Sequence, residues 1–217
     1  MLTTRETHGA LLEPKWLEWA KSLQAEAQNG LTFSQNEFER ERYNHILDIA
    51  AEMMASNSDT DLSYVKGLFK DVEGYMTPRV DVRGVVFKDD KVVLVKEKAD
   101  GGWTLPGGWA DPNETPSQSV EREVFEESGF RVKAVKVLAV FDRAKQGHTP
   151  PFPYHVYKLF FLCELKGGKE TTSIETDAVD WFTEDNIPAL SSARTTASQL
   201  RRFFEHHRNP ELLTDFD

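Results

Sequence analysis

The sequence predicts an α/β fold of the α+β kind, a mixed sheet with helices over residues 79–207, preceded by a small all-helical domain over residues 1–73. Three observations carry that prediction. Apolar residues in the first third recur every three or four positions, the period of a helix with one buried face. Beyond Gly74 and Pro78 the period drops to two, the pattern of half-buried strands. Between Thr115 and Gly129 a capped, glutamate-rich segment interrupts the strands, which mixes helix and sheet within one layered domain. At 217 residues and 39% hydrophobic content, the chain is long enough for one packed domain and a modest extension.

The elements follow in order. Trp16, Leu17, Ala20, Leu23 and Ala27 trace one face of a first helix, and Asn29-Gly30 is expected to break it. A second helix is expected from about Asn36 to Ala55, turning Tyr43, Ile46, Leu47 and Ala50 inward. Asp61 can cap a third that contains Val65, Leu68 and Phe69. Gly74 and Pro78 mark a linker at about residues 73–79. Val80–Phe87 and Lys91–Lys96 then read as strands joined at Asp89-Asp90 in a hairpin. Val132–Phe141 and Tyr154–Leu165 are long strands separated by a proline-rich loop, Gln146–Pro153. Ala178–Phe182 is a short strand, and a last helix covers about Thr195–His207.

Chemistry concentrates between Gly108 and Phe130. Thr115 is placed as an N-cap, Pro116 as the first helical residue, Gln118 as the return arm of a capping box and Gly129 as a left-handed C-cap. Val120 and Val124, four apart, face the core. Glu123, Glu126 and Glu127 then share one flank of the helix, in a sector roughly 100° wide. Three carboxylates so spaced repel one another, and Arg122 can neutralise only part of that charge. Oxygen ligands without a Cys or His cluster favour a hard divalent cation, Mg2+ or Mn2+. The competing reading is a solvated acidic helix face.

The spacing from Gly108 through Glu114, Arg122-Glu123, Glu126-Glu127 and Gly129 matches every position of the Nudix box, G-x5-E-x7-R-E-U-x-E-E-x-G-U. Seven fixed letters arise by chance roughly once in 10^8 start positions, which removes coincidence as the explanation. The chain therefore resembles Nudix hydrolases, and the resemblance implies an α/β/α sandwich around the mixed sheet. Lys15-Trp16-Leu17-Glu18-Trp19, Ala27-Gln28-Asn29-Gly30, Glu41-Arg42-Tyr43, Val80–Gly84 and Tyr154–Lys158 extend it. They resemble members with a helical extension that act on nucleoside diphosphates linked to a group X, including CDP-choline and ADP-ribose pyrophosphatases.

That resemblance implies water attack on one phosphorus, with CDP-choline giving CMP and phosphocholine as the leading expectation and ADP-ribose as the alternative. It implies Glu123, Glu126, Glu127 and the carbonyl of Gly107 as metal ligands. The general base stays open between a box glutamate and Glu175, with Asp177 after it. Gly108, Glu114, Arg122 and Gly129 are expected to be structural, Glu114 supporting the loop and Arg122 pairing with box carboxylates. Arg83, Lys96, Trp103, Trp109, Tyr154 and His155 are candidate substrate contacts, with core packing as the competing role of the aromatics. The family also suggests a homodimer, for which Trp16, Trp19 and Phe33 offer apolar surface. Two rivals are a nucleotide-sensing Nudix domain without turnover and an enzyme acting on short RNA ends.

Composition narrows the rest. A net charge of −10 opposes general binding to nucleic acid or anionic membrane, although Arg79, Arg83, Lys96 and Lys98 can supply local positive field. Residues 1–6 lack the apolar core of a signal peptide and no apolar run approaches membrane length, which favours the cytoplasm. The single cysteine, Cys163, is expected to be a buried structural thiol. His148 and His155 fit no zinc spacing, and His206-His207 is expected at a helix surface or paired with its dipole.

Overall fold

The structure is a computed structural model that describes residues 13–70 and 74–217, so the expectation for residues 1–6 lies outside the described residues. It divides into two compact units. A helical unit runs to Pro78 and takes in Pro151–His155; a sheet unit comprises Arg79–Pro150 and Val156–Asp217.

Helices α1 (Lys15–Phe33), α2 (Glu37–Ser56) and α3 (Leu62–Lys70) make the first unit. Leu17, Ala20, Ala50, Ala51, Met54, Val65 and Phe69 form its core, the alanines allowing close approach of α1 and α2. Asn36 caps α2 by accepting the Phe38 and Glu39 amides, and Asp61 accepts the Ser63 amide at 2.7 Å. The expected break at Asn29-Gly30 does not occur, because α1 continues to Phe33. Gly30 instead makes room for the Tyr43 ring of α2, where any Cβ would collide with it. Asn29 spends its side chain accepting the Met76 amide at 2.8 Å. Trp16 packs against the core, whereas Trp19, Phe33, Phe38, Tyr64 and Tyr75 remain exposed.

The sheet unit is built from β1 (Arg79–Lys88), β2 (Lys91–Glu97), β3 (Trp103–Thr104), β4 (Gly107–Trp109), helix α4 (Pro116–Ser128), β5 (Phe130–Asp142), β6 (Val156–Gly168), β7 (Thr176–Phe182), helix α5 (Ala197–Arg208) and β8 (Asp215–Phe216). The strand path is β3-β2-β1-β6-β5-β8, with β4 attached to β1 and β7 to β2. β1 runs parallel to β6, and β5 parallel to β8, while the other pairs are antiparallel. Asp89 and Asp90 both adopt positive φ, 50° and 57°, the geometry of a tight two-residue hairpin turn.

Alternation along the central strands separates two cores. Val82, Val86, Phe161 and Cys163 join Val120 and Val124 of α4; Val85, Leu94 and Phe160 join Leu200, Phe203 and Phe204 of α5. Helices thus cover both faces of a mixed sheet, the expected α/β/α sandwich. Cys163 is buried and its thiol is pushed up to about 12 by burial. The strand expected from Tyr154 starts at Val156, because Pro153 and Tyr154 lie in a bend. Strands β4 and β8, of three and two residues, were too short to show a period in the sequence. No described helix is long and apolar enough to cross a membrane.

Candidate active site

Helix α4 begins as its sequence dictates. Thr115 accepts the Gln118 amide, Gln118 returns to the Thr115 amide at 2.9 Å, and Gly129 closes the far end in the left-handed region at φ 75°. Val120 and Val124 anchor the helix to the sheet, and the opposite flank carries the acids.

Glu127 is the most buried of the three, with 5% of its surface exposed. Its Oε2 accepts the Gly107 amide at 2.8 Å, and its backbone carbonyl accepts the Thr176 hydroxyl at 3.0 Å. Burial, reinforced by the charges of Glu97 and Glu123 and opposed by Arg83, pushes its carboxyl up to about 7. Glu123 is also raised by burial, against the pull of Arg122. Gly107 sits at φ 143°, where a Cβ would strike the Val82 carbonyl, so only glycine lets β4 lie against β1. A Cβ on Gly108 would stand 2.8 Å from Glu123 Oε2. The glycine pair therefore brings backbone directly against two carboxylates.

Arg122 is the hub of the outer rim. It donates to Glu114 Oε1 at 2.9 Å, Glu123 Oε1 at 2.8 Å, Glu126 Oε2 at 2.9 Å and Asp111 Oδ2 at 3.1 Å. Glu126 is more than half exposed. Among the described residues, no three Asp, Glu, His or Cys side chains converge as a ready metal cage. The donors nevertheless fit a hard cation in kind: Glu127 is a buried carboxylate against Gly107, and Glu123 flanks Gly108. Glu126 would have to leave Arg122 to join them.

A second set of charges is buried: Arg83 was expected as a substrate contact, and Asp81, Lys158 and Glu97 had no expected role. Asp81 accepts Arg83 Nε at 3.0 Å and Nη2 at 2.9 Å, and Lys158 donates to the same carboxylate at 2.5 Å. Arg83 Nη1 donates to the Leu105 carbonyl at 3.1 Å. Burial alone would raise the Asp81 carboxyl, but Arg83 and Lys158 hold it down at about 2. Burial pushes Lys158 down to about 8 in spite of Asp81. Glu97, also buried, pairs with Arg194 Nε at 3.0 Å and is raised by burial. A signal existed for three of the four. Asp81 and Arg83 fall in step with Val85 and Phe87 at every second residue, and Glu97 with Val93 and Val95, which puts all three charges on buried faces.

The other candidates scatter. Glu175 is exposed, but its carbonyl accepts the Lys98 amide at 2.9 Å, which ties its loop to the end of β2 beside Glu97. Asp177 is exposed. Arg83 is not an open cleft cation, since it is buried and bonded as above, and Lys98 is engaged with the Ser173 and Ile174 carbonyls. Lys96 is half-buried. Trp103 packs edge-on against Phe182 at 4.8 Å in the α5-side core, the packing alternative, while Trp109 stays 44% exposed. Tyr154 and His155 group with the helical unit. His148 is buried between the Ser192 carbonyl and Gln199, and burial lowers it to about 3, so it is a neutral loop tie. Of the two placements expected for His206, the surface does not hold: in the last turn of α5, it is buried against Asp215 at 2.9 Å.

A model of the NUDIX domain matches residues 77–206, more than half of the chain. The chain belongs to the Nudix family. Residues 14–69 match a second model, the UDP-X-like N-terminal oligomerisation domain. The Bacillus subtilis protein YjhB, named provisionally as an ADP-ribose pyrophosphatase, is 43% identical over 206 residues, 95% of this chain and 99% of its own length. A Streptococcus suis ADP-ribose pyrophosphatase structure is 40% identical with a TM-score of 0.59, covering 65% of this chain and all of its own. A UDP-X diphosphatase structure is 29% identical with a TM-score of 0.61, covering 94% of this chain and 98% of its own. With its box complete and relatives of this kind, the chain is a Nudix hydrolase, a pyrophosphatase by class.

Proposed function

We propose that this Nudix enzyme cleaves the pyrophosphate of a nucleoside diphosphate joined to a second group, with ADP-ribose, giving AMP and ribose 5-phosphate, as the first candidate. The observation that carries the site is the buried Glu127 carboxylate held against the Gly107 amide, with Glu123 beside it at Gly108. The ADP-ribose names of two relatives support ranking that substrate ahead of CDP-choline. A second reading, a uridine substrate, is favoured by the UDP-X diphosphatase that matches through the helical extension as well.

In this reading Glu123, Glu126, Glu127 and the Gly107 carbonyl hold Mg2+ or Mn2+. When bound, the ion screens the phosphate oxygens and makes a water acidic enough to attack. The chain's own contribution is orientation. The Gly107 amide fixes the Glu127 carboxylate, Arg122 keeps Glu123 and the exposed Glu126 on one flank, and Glu175 stands as the candidate base beside the box glutamates. Product analysis on ADP-ribose, CDP-choline, UDP-glucose, NADH, dGTP and a short RNA ranks the substrates. AMP and ribose 5-phosphate appearing fastest supports the first candidate, and fastest turnover of RNA or dGTP refutes it. Turnover by Glu175→Gln equal to wild type removes Glu175 as base.

The helical unit makes a homodimer in this reading. Its support is the oligomerisation-domain match and the exposed Trp19, Phe33, Phe38 and Tyr64. Light scattering at micromolar concentration should return twice the chain mass of 24.8 kDa, and a stable monomer would contradict it.

A further inference from the structure

Asp81 and Lys158 are register partners on parallel strands β1 and β6, and both side chains are sealed from solvent. Together with Arg83 they make a group of two cations and one anion, so one positive charge is left over. Burying an uncompensated charge is costly, and the leftover charge is drawn to the nearest unbalanced carboxylate. That carboxylate is close at hand. Arg83 is the register partner of Gly107 on neighbouring strand β4, and the Gly107 amide is bonded to Glu127. Adjacent strands lie about 4.8 Å apart. Arg83 nevertheless makes its hydrogen bonds elsewhere, although its charge acts on Glu127. Three donor bonds go to Asp81 and the Leu105 carbonyl, and no hydrogen bond joins Arg83 to Glu127.

We propose that Asp81, itself held by Lys158, is a positioning residue that restrains the Arg83 guanidinium from pairing with Glu127 and so keeps that carboxylate for a divalent cation. The inference rests on the reading of Glu127 as a metal ligand. Lys158 is what keeps Asp81 from turning: the two share a register position and a direct ion pair within the sheet. Arg83 in turn steadies the turn before β4 at Leu105, while the Gly84 amide donates to the Pro106 carbonyl at 2.8 Å. Asp81 acts on the metal site through Arg83 and touches no reacting atom.

The test is equilibrium Mn2+ binding, read from the free-ion paramagnetic resonance signal without substrate, on wild type, Asp81→Asn, Arg83→Met and the double variant. Asp81→Asn should bind Mn2+ about tenfold more weakly, because the freed guanidinium competes at Glu127. Arg83→Met and the double variant should bind at least as tightly as wild type, since the competitor is gone. Equal binding by Asp81→Asn and wild type would overturn the proposal, as would a double variant as weak as Asp81→Asn. Should Asp81→Asn fail to fold, Arg83→Met alone decides: binding weaker than wild type overturns the restraint, and binding as tight or tighter supports it. No Mn2+ binding by folded wild type would instead defeat the metal reading on which the proposal stands.

Discussion

Two charge hubs lie near the Gly107-Gly108 pair, and their charge balances are opposite. Around Arg122 one cation serves four acids, Asp111, Glu114, Glu123 and Glu126, in a setting open to water. Around Asp81 one acid serves two cations, Arg83 and Lys158, in a setting closed to it. Surplus negative charge at an open rim is cheap, since solvent screens it and a cation can enter. Surplus positive charge in a sealed core is expensive and has to be directed. On the proposed reading the first hub is where an ion arrives, whereas the second is a fixed part of the scaffold.

Breaking the sealed hub should cost most. Asp81→Asn leaves two buried cations without their shared acid, for an expected loss of about 3–5 kcal/mol in urea unfolding. A loss under about 1 kcal/mol would show that water reaches the hub and that the contrast is false. Acid sharpens the same point. The folded Asp81 carboxyl titrates at about 2, below its ordinary 3.8, so its contribution is full above pH 4 and is lost as pH falls toward 2. Comparing acid unfolding of wild type and Asp81→Asn isolates that part, about 2 kcal/mol, and identical pH slopes would contradict it.

The open hub should yield less. Arg122→Gln removes pairs with four acids, yet the site is partly solvated, so the expected loss is about 1 kcal/mol at low salt. Repeating the unfolding in 1 M NaCl should shrink the difference, and a salt-independent loss would place Arg122 with the buried kind of hub.

What the sequence made legible follows the same division. Helix α4 could be read in detail, because its caps, apolar pair and acidic flank are all local patterns: Thr115, Gln118 and Gly129 behave as their types require. The change of period after Pro78 pointed to a mixed helix-and-strand domain, and the sandwich arrangement was what the Nudix resemblance implied. Long-range partners were less visible. Gly30 looked like a helix breaker because its reason, the Tyr43 ring, lies on another helix. The Asp81–Lys158 pair joins residues 77 positions apart through parallel strands, which no local spacing reveals. Arg83 and Trp103 looked available for substrate because exposure was assumed; pairing with Asp81 and packing on Phe182 account for them. His206 was read from its helix end, but its partner, Asp215, comes from the following strand.

The most direct measurement compares wild type with Glu127→Gln on ADP-ribose across a titration of Mg2+ or Mn2+. The account predicts metal-dependent release of AMP and ribose 5-phosphate by wild type, and a fall of about a hundredfold or more in the variant at saturating metal. Metal-independent turnover, or a Glu127→Gln variant as active as wild type, would contradict the claim that this buried carboxylate organises the reaction.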